Sequence, residues 1–164
     1  SARYVHQDGR LWVGSRTRIK KQDPRSQWWR AAESLGLADK LATVPGIAVY
    51  GESHGYTGGF PYGNARDSLS LRIFDALDIK TRRYFDYDAL EELCVRLDLP
   101  MAPALHRGPW SDSLRSLAEG KSTLDPSHIR EGIVIRPIAE RLHPELGRVI
   151  LKLHGEAFLT RKGG

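Results

Sequence analysis

Residues 131–136 read Glu-Gly-Ile-Val-Ile-Arg, with Pro137 directly behind. Three consecutive β-branched residues suit a pleated surface, so the run reads as a strand. It is short, apolar and closed by turn formers, the pattern of a strand buried on both faces. Glu131 then stands at the rim of an apolar element. A carboxylate there has to be paired, hydrogen-bonded or metal-bound, which leaves a structural ion pair and a functional role equally open. The same signature, a polar residue set in a strand-like run, recurs along the chain. Residues 149–154 read Val-Ile-Leu-Lys-Leu-His, a strand over 149–153 interrupted by Lys152. By alternation Lys152 points either to solvent or into a site. Residues 46–51 read Gly-Ile-Ala-Val-Tyr-Gly and lead into Glu52, taken alone an ordinary solvated strand end. Leu69 to Phe74 forms a further strand, and Phe74 by itself reads as core.

Towards the N-terminus, Ala2–His6 and Arg10–Ser15 read as strands joined by Asp8-Gly9, a strong hairpin signal. Arg16 follows as a strand-end arginine. Asp23-Pro24 fits a helix start, with Asp23 as cap and Pro24 in the first helical position. Trp28, Trp29, Ala32, Leu35 and Leu41 supply that helix with an apolar face, weakened by Gly36. A second helix is expected over Asp88–Leu97, where Leu90, Leu93, Cys94 and Leu97 share one face. A short one is expected over Ser111–Ala118, with Gly120 past its end. Gly55–Gly63 holds four glycines, two tyrosines, Phe60 and Pro61, a loop with room for function. Strands dominate and helices are interspersed irregularly, which predicts an α+β fold with largely antiparallel sheets.

The chain has 164 residues, 40% of them hydrophobic, enough for one domain with a real core, taken as residues 1–164. No apolar run approaches the roughly 20 residues of a membrane span, and no signal peptide pattern opens the chain. The single cysteine, Cys94, excludes an internal disulfide and a cysteine zinc cage, reads as a buried thiol, and is in keeping with a reducing, cytoplasmic setting. Net charge is +5, and Arg3, Arg18, Lys20, Lys21 and Arg25 form the densest basic stretch. That balance suits a polyanionic partner such as nucleic acid, or only a solvated face.

Taken in order, these segments resemble the later motifs of the covalent nucleotidyltransferases, and within them the ATP-dependent RNA ligases of the RNA ligase 2 type. Val49-Tyr50-Gly51-Glu52 with Gly55 is similar to the strand that ends in Gly-Glu. The Gly59-Phe60-Pro61-Tyr62-Gly63 loop is similar to the one that follows it. Arg72-Ile73-Phe74-Asp75 resembles the phenylalanine–aspartate strand, and Tyr84-Phe85-Asp86 continues it. Residues 131–136 match the most specific motif, and Leu151-Lys152-Leu153 the last strand, with Ala157-Phe158-Leu159 behind it. The resemblance runs from Ser1 to about Lys162.

It implies a nucleotidyltransferase (adenylyltransferase) domain of the ATP-grasp-like ligase type: two antiparallel β-sheets flanked by helices. It implies ATP, held as AMP, and Mg2+ as cofactors. The partners implied are RNA ends in nicked or broken duplex RNA, with RNA repair as the setting. By the same resemblance Arg16 contacts the AMP ribose or its phosphate and Glu52 holds the ribose. Phe74 stacks on adenine, with Leu77 as the alternative if the register slips. Glu131 sits near the metal and the nucleophile, and Lys152 contacts the α-phosphate. A DNA ligase or an mRNA-capping guanylyltransferase shares the motif order, and a non-catalytic nucleic-acid-binding module could keep the fold.

Two departures stand out. The nucleophile motif Lys-x-Asp-Gly is absent, and His6-Gln7-Asp8-Gly9 carries histidine where lysine is needed and lies too close to Arg16. Lys20 and Lys21 have no Asp-Gly at the right offset. The nucleophilic lysine is therefore expected a few residues ahead of Ser1, in a longer ligase of which this chain is a fragment. The last motif usually carries a second lysine, and here that position is His154. A histidine is only partly charged near neutrality, which makes that phosphate contact conditional.

Overall fold

The computed structural model describes residues 1–55 and 69–161. These form two compact units, residues 1–102 and 103–164. Most of the loop expected over Gly55–Gly63 lies outside the described residues.

In the first unit β1 (Ala2–Gln7) and β2 (Arg10–Gly14) form the expected hairpin. Asp8 and Gly9 at its turn have φ of 53° and 75°, the left-handed pair that such a turn requires. Helices α1 (Gln27–Ser34) and α2 (Leu37–Ala42) follow, then β3 (Ile47–Gly55), β4 (Leu69–Asp78), β5 (Arg83–Tyr84) and α3 (Tyr87–Arg96). The strands make one antiparallel sheet in the order β2-β1-β3-β4-β5.

The helix expected from Asp23-Pro24 starts later, with Ser26 in the capping position. Asp23 closes a turn instead: its Oδ1 accepts from the Arg25 nitrogen at 2.9 Å, and its carbonyl accepts from the Ser26 nitrogen at 2.9 Å. An aspartate that satisfies a nearer backbone donor is not available to cap. Gly36, at φ +60°, breaks the apolar stripe into two helices. That break turns Leu37 and Leu41 inward, both fully buried.

One face of the sheet carries Ala2, Tyr4, Val13, Val49, Leu71, Ile73 and Ala76, which form a single core with Ala31, Ala32, Leu37, Leu41, Leu90 and Cys94 of the helices. Strand alternation therefore sends Arg3, Tyr50, Glu52, His54 and Arg72 to the opposite face. The helices cover one side of the sheet, and the polar set lies on the other.

The second unit holds a 3-10 helix (Asp112–Ala118), β6 (Gly132–Ile135), β7 (Leu142–His143), β8 (Gly147–Arg148), β9 (Leu151–His154) and α4 (Glu156–Thr160). β6 pairs antiparallel with β9, and β7 with β8. Arg130 gathers this unit: its guanidinium donates to the carbonyls of Leu117, Glu119 and Lys121 at 2.6, 3.2 and 2.9 Å. Glu119 in turn accepts from the Glu156 nitrogen at 2.6 Å and so starts α4. Glu140 lies between Arg148 at 2.6 Å and Arg136 at 3.5 Å, and ties the β7–β8 hairpin to the end of β6.

The buried thiol is as expected. Cys94 is 3% exposed, and burial pushes its pKa up to about 11. The native chain at pH 8 is therefore expected to resist a thiol-labelling reagent, with full labelling in denaturant. Rapid labelling of the folded chain would contradict this packing.

Candidate active site

β3 and β4 do not run in simple register. Tyr50 pairs with Asp75, but Gly51 pairs with Ile73, so Phe74 is the extra residue of a β-bulge. Both flanks of the bulge are pinned. Ile73 donates to the Pro100 carbonyl at 2.8 Å and accepts from the Ala102 nitrogen at 2.8 Å, and Phe85 donates to the Ala76 carbonyl at 2.9 Å. A bulge re-aims the side chain it carries. Phe74 is 38% exposed rather than core, while Asp75 beside it is 3% exposed.

Gly51 makes the bulge possible. A Cβ at that position would lie 2.7 Å from Leu71 Cδ1 and 2.8 Å from the Arg72 carbonyl oxygen. The strands approach too closely there for any side chain. Glu52 follows immediately, with a side chain 59% exposed. Its Oε1 accepts from the Ser1 nitrogen at 3.1 Å, and its Oε2 accepts from the Ser1 hydroxyl at 2.8 Å. Beyond it His54 has its pKa lowered, first by burial and then by the Arg72 charge, with Glu52 opposing. Tyr50 has its pKa raised, chiefly by burial and then by Tyr84, whose ring centroid is 5.9 Å away, with Arg3 opposing. Arg16 stands exposed past the end of β2. No hydrogen bond or ion pair among the described residues joins it to Glu52 or Phe74.

In the second unit the register sets Lys152 opposite Val134 and His154 opposite Gly132, on one face of the β6–β9 pair. Glu131 precedes β6 and turns back over that face. Its Oε1 lies 2.5 Å from Lys152 Nζ and 3.6 Å from His154 Nε2. The structure thus brings together the three residues expected to share a role. The run is not buried on both faces as its composition suggested: Val134 is 58% exposed. β6 has one pairing strand among the described residues, and β-branched residues serve a half-covered surface as readily as a buried one.

Glu131 and Lys152 are each about half exposed, 44% and 52%. An ion pair in that setting is worth at most about 1 kcal/mol. Lys152 can therefore leave Glu131 for a phosphate at little cost. His154 at 3.6 Å is outside hydrogen-bond range of the carboxylate and stacks on Phe158, with ring centroids 6.3 Å apart and 13° between planes. Arg161 covers Phe158 at 3.6 Å. No group of three or more His, Cys, Asp or Glu among the described residues could hold a metal ion. Glu131 offers one hard oxygen donor group, which fits an ion completed by phosphate oxygens and water, not a protein cage.

The sequence reading assigned no role to Ser1, placed Trp28 only on an apolar helix face, and named Asp75 only as part of the Phe74-Asp75 motif. Only Asp75 left a signal, a carboxylate inside an apolar strand next to Phe74.

The described residues form one five-stranded and two two-stranded antiparallel sheets with helices, an α+β fold. The RNA ligase profile matches residues 1–154, and the chain belongs to the RNA ligase family. The solved structure of a Naegleria gruberi RNA ligase with PPi superposes with a TM-score of 0.80 at 19% identity, over 96% of this chain and 47% of that chain. A lysine-to-alanine mutant of the same ligase with ATP and Mn, and a lysine-to-methionine mutant with AMP and Mn, give the same TM-score, identity and coverage. This chain spans about half the length of those ligases. No curated protein matches it. Among the described residues, no helix is long and apolar enough to cross a membrane.

Gly132, at φ +155°, has no space for a side chain: a Cβ would lie 2.1 Å from the Leu153 carbonyl oxygen. Gly132→Ala is expected to destabilise the β6–β9 pair by about 2–4 kcal/mol, since strain and displaced backbone add. Hydrogen exchange at the Ile133 and Leu153 amides would report it, and unchanged protection would refute it.

Proposed function

We propose that the chain is the nucleotidyltransferase part of an ATP-dependent RNA ligase that joins 5′-phosphate and 3′-hydroxyl RNA ends. The observation that carries this reading is the Glu131–Lys152–His154 cluster, built by strand register in a member of the RNA ligase family. Its support is chemical. Attack of a lysine amine on the α-phosphorus forms a P–N bond and expels pyrophosphate. Negative charge builds on the phosphate oxygens as the bond to the leaving group breaks. Lys152, held on a strand and only weakly tied to Glu131, is the cation to meet that charge. His154 adds a second donor when protonated.

Glu131 is the residue that would hold a divalent ion, and magnesium fits its hard oxygen donors. Such an ion would supply charge neutralisation at the phosphates. In the first unit Glu52 accepts from the ribose hydroxyls, Phe74 stacks on adenine and Arg16 contacts ribose or phosphate. The AMP then passes to a 5′-phosphate, and a 3′-hydroxyl attacks and releases it. Phosphate contacts from Arg3, Arg18, Lys20, Lys21 and Arg25 hold the RNA ends in nicked or broken duplexes. The role proposed with that substrate is RNA repair in the cytoplasm.

The test is the intact mass of the full-length protein after incubation with ATP and magnesium. One added AMP is expected, carried on a lysine. The 164 residues contain no Lys-x-Asp-Gly, so this chain by itself is expected to gain no mass. Lys152→Met in the full-length protein is expected to slow AMP uptake about 100-fold or more, as loss of a charge-stabilising donor does. Joining of nicked RNA but not nicked DNA, with ATP but not GTP, would separate the RNA ligase from its DNA-ligase and capping relatives. No AMP uptake by folded, AMP-free full-length protein would favour a non-catalytic nucleic-acid-binding module.

A further inference from the structure

Glu52 is held by a residue that the proposed chemistry does not use. The Ser1 hydroxyl donates to its Oε2 at 2.8 Å. Ser1 is itself fixed from behind. The Trp28 indole N–H donates to the Ser1 carbonyl at 3.2 Å, and the Tyr4 hydroxyl donates to the Trp28 carbonyl at 3.1 Å. Tyr4 is fully buried in the core, and the Lys20 ammonium covers the Trp28 ring at 4.1 Å. A continuous chain of contacts therefore runs from the core of the first unit to an exposed carboxylate.

We propose that Ser1 is a positioning residue that presents Glu52 to a vicinal diol, and that Trp28 anchors Ser1. The inference rests on the reading of Glu52 as the ribose contact. A carboxylate oxygen accepts two hydrogen bonds. The Ser1 hydroxyl takes one on Oε2 and fixes the plane of the carboxylate. The acceptor positions left on its two oxygens match two adjacent hydroxyls better than one. An exposed glutamate without Ser1 samples several rotamers and has to be ordered by the ligand itself. Ser1 thus governs affinity for the ribonucleotide and rejection of its 2′-deoxy analogue, not the speed of phosphoryl transfer.

The experiment follows AMP uptake by the full-length protein against ATP and 2′-deoxy-ATP concentration. It compares wild type with Ser1→Ala, Ser1→Thr and Trp28→Phe. Ser1→Ala is expected to raise the half-saturating ATP concentration about tenfold, the effect of losing one hydrogen bond to a charged group. Its maximal rate is expected to stay within about twofold, because a ground-state contact is removed. Its preference for ATP over 2′-deoxy-ATP narrows. Ser1→Thr keeps the hydroxyl and restores both values. Trp28→Phe moves them in the same direction by less. Equal half-saturation in Ser1→Ala and wild type overturns the inference, as does a fall in maximal rate alone. If Ser1→Ala does not fold, Trp28→Phe with unchanged half-saturation overturns it. Absence of AMP uptake in wild type removes the ligase reading and this inference with it.

Discussion

The close approach of β3 and β4 at Gly51 is the constraint from which the first unit's candidate site follows. With no side chain on one strand, the other comes within contact distance and has to absorb one residue too many. That residue is Phe74, which alternation after Ile73 turns out of the core, and the extra position brings Ala76 back into it. Glu52 is placed by the same event, since it is the first residue past the approach and faces away from the helices. Backbone bonds from Pro100, Ala102 and Phe85 hold the bulge from outside. An aromatic ring and a carboxylate on neighbouring strands are therefore consequences of packing, in place before any ligand arrives.

The second unit works on a weaker principle. Glu131, Lys152 and His154 meet through strand register, and nothing buries them. A half-exposed ion pair gives little to stability, which is what lets its lysine change partners. Had the same pair been sealed from water, separating it would cost several kcal/mol and the lysine would be lost to chemistry. The rigid elements of this unit lie elsewhere: in Arg130 on its three carbonyls, and in Glu140 between two arginines.

Much of this was legible in the chain. The Asp8-Gly9 hairpin, the apolar face of α3, the buried Cys94 and the strands read over residues 46–51, 69–74 and 132–136 follow from local periodicity and turn chemistry, although the first two strands run on to residues 55 and 78. The family followed from motif order. What sequence left hidden has physical reasons. The bulge is a property of two strands together, so Phe74 read alone as core. Asp23 had a backbone partner nearer than the helix. The strand at 132–135 looked fully buried because Ile and Val signal a strand more clearly than they signal its depth. The tie from Trp28 through Ser1 to Glu52 spans 51 residues of sequence, and no local pattern announces it.

Gly51 and Gly132 differ from the charged residues in how they can drift over generations. Every single-base change of a glycine codon that alters the amino acid without stopping the chain adds a side chain. Here each such chain would meet a backbone oxygen, at 2.8 Å for Gly51 and 2.1 Å for Gly132. The Lys152–Glu131 pair, exposed and loosely held, can be exchanged or lost while the fold persists. The scaffold is therefore expected to outlast the charged pair: a descendant would keep both glycines long after Lys152 has gone.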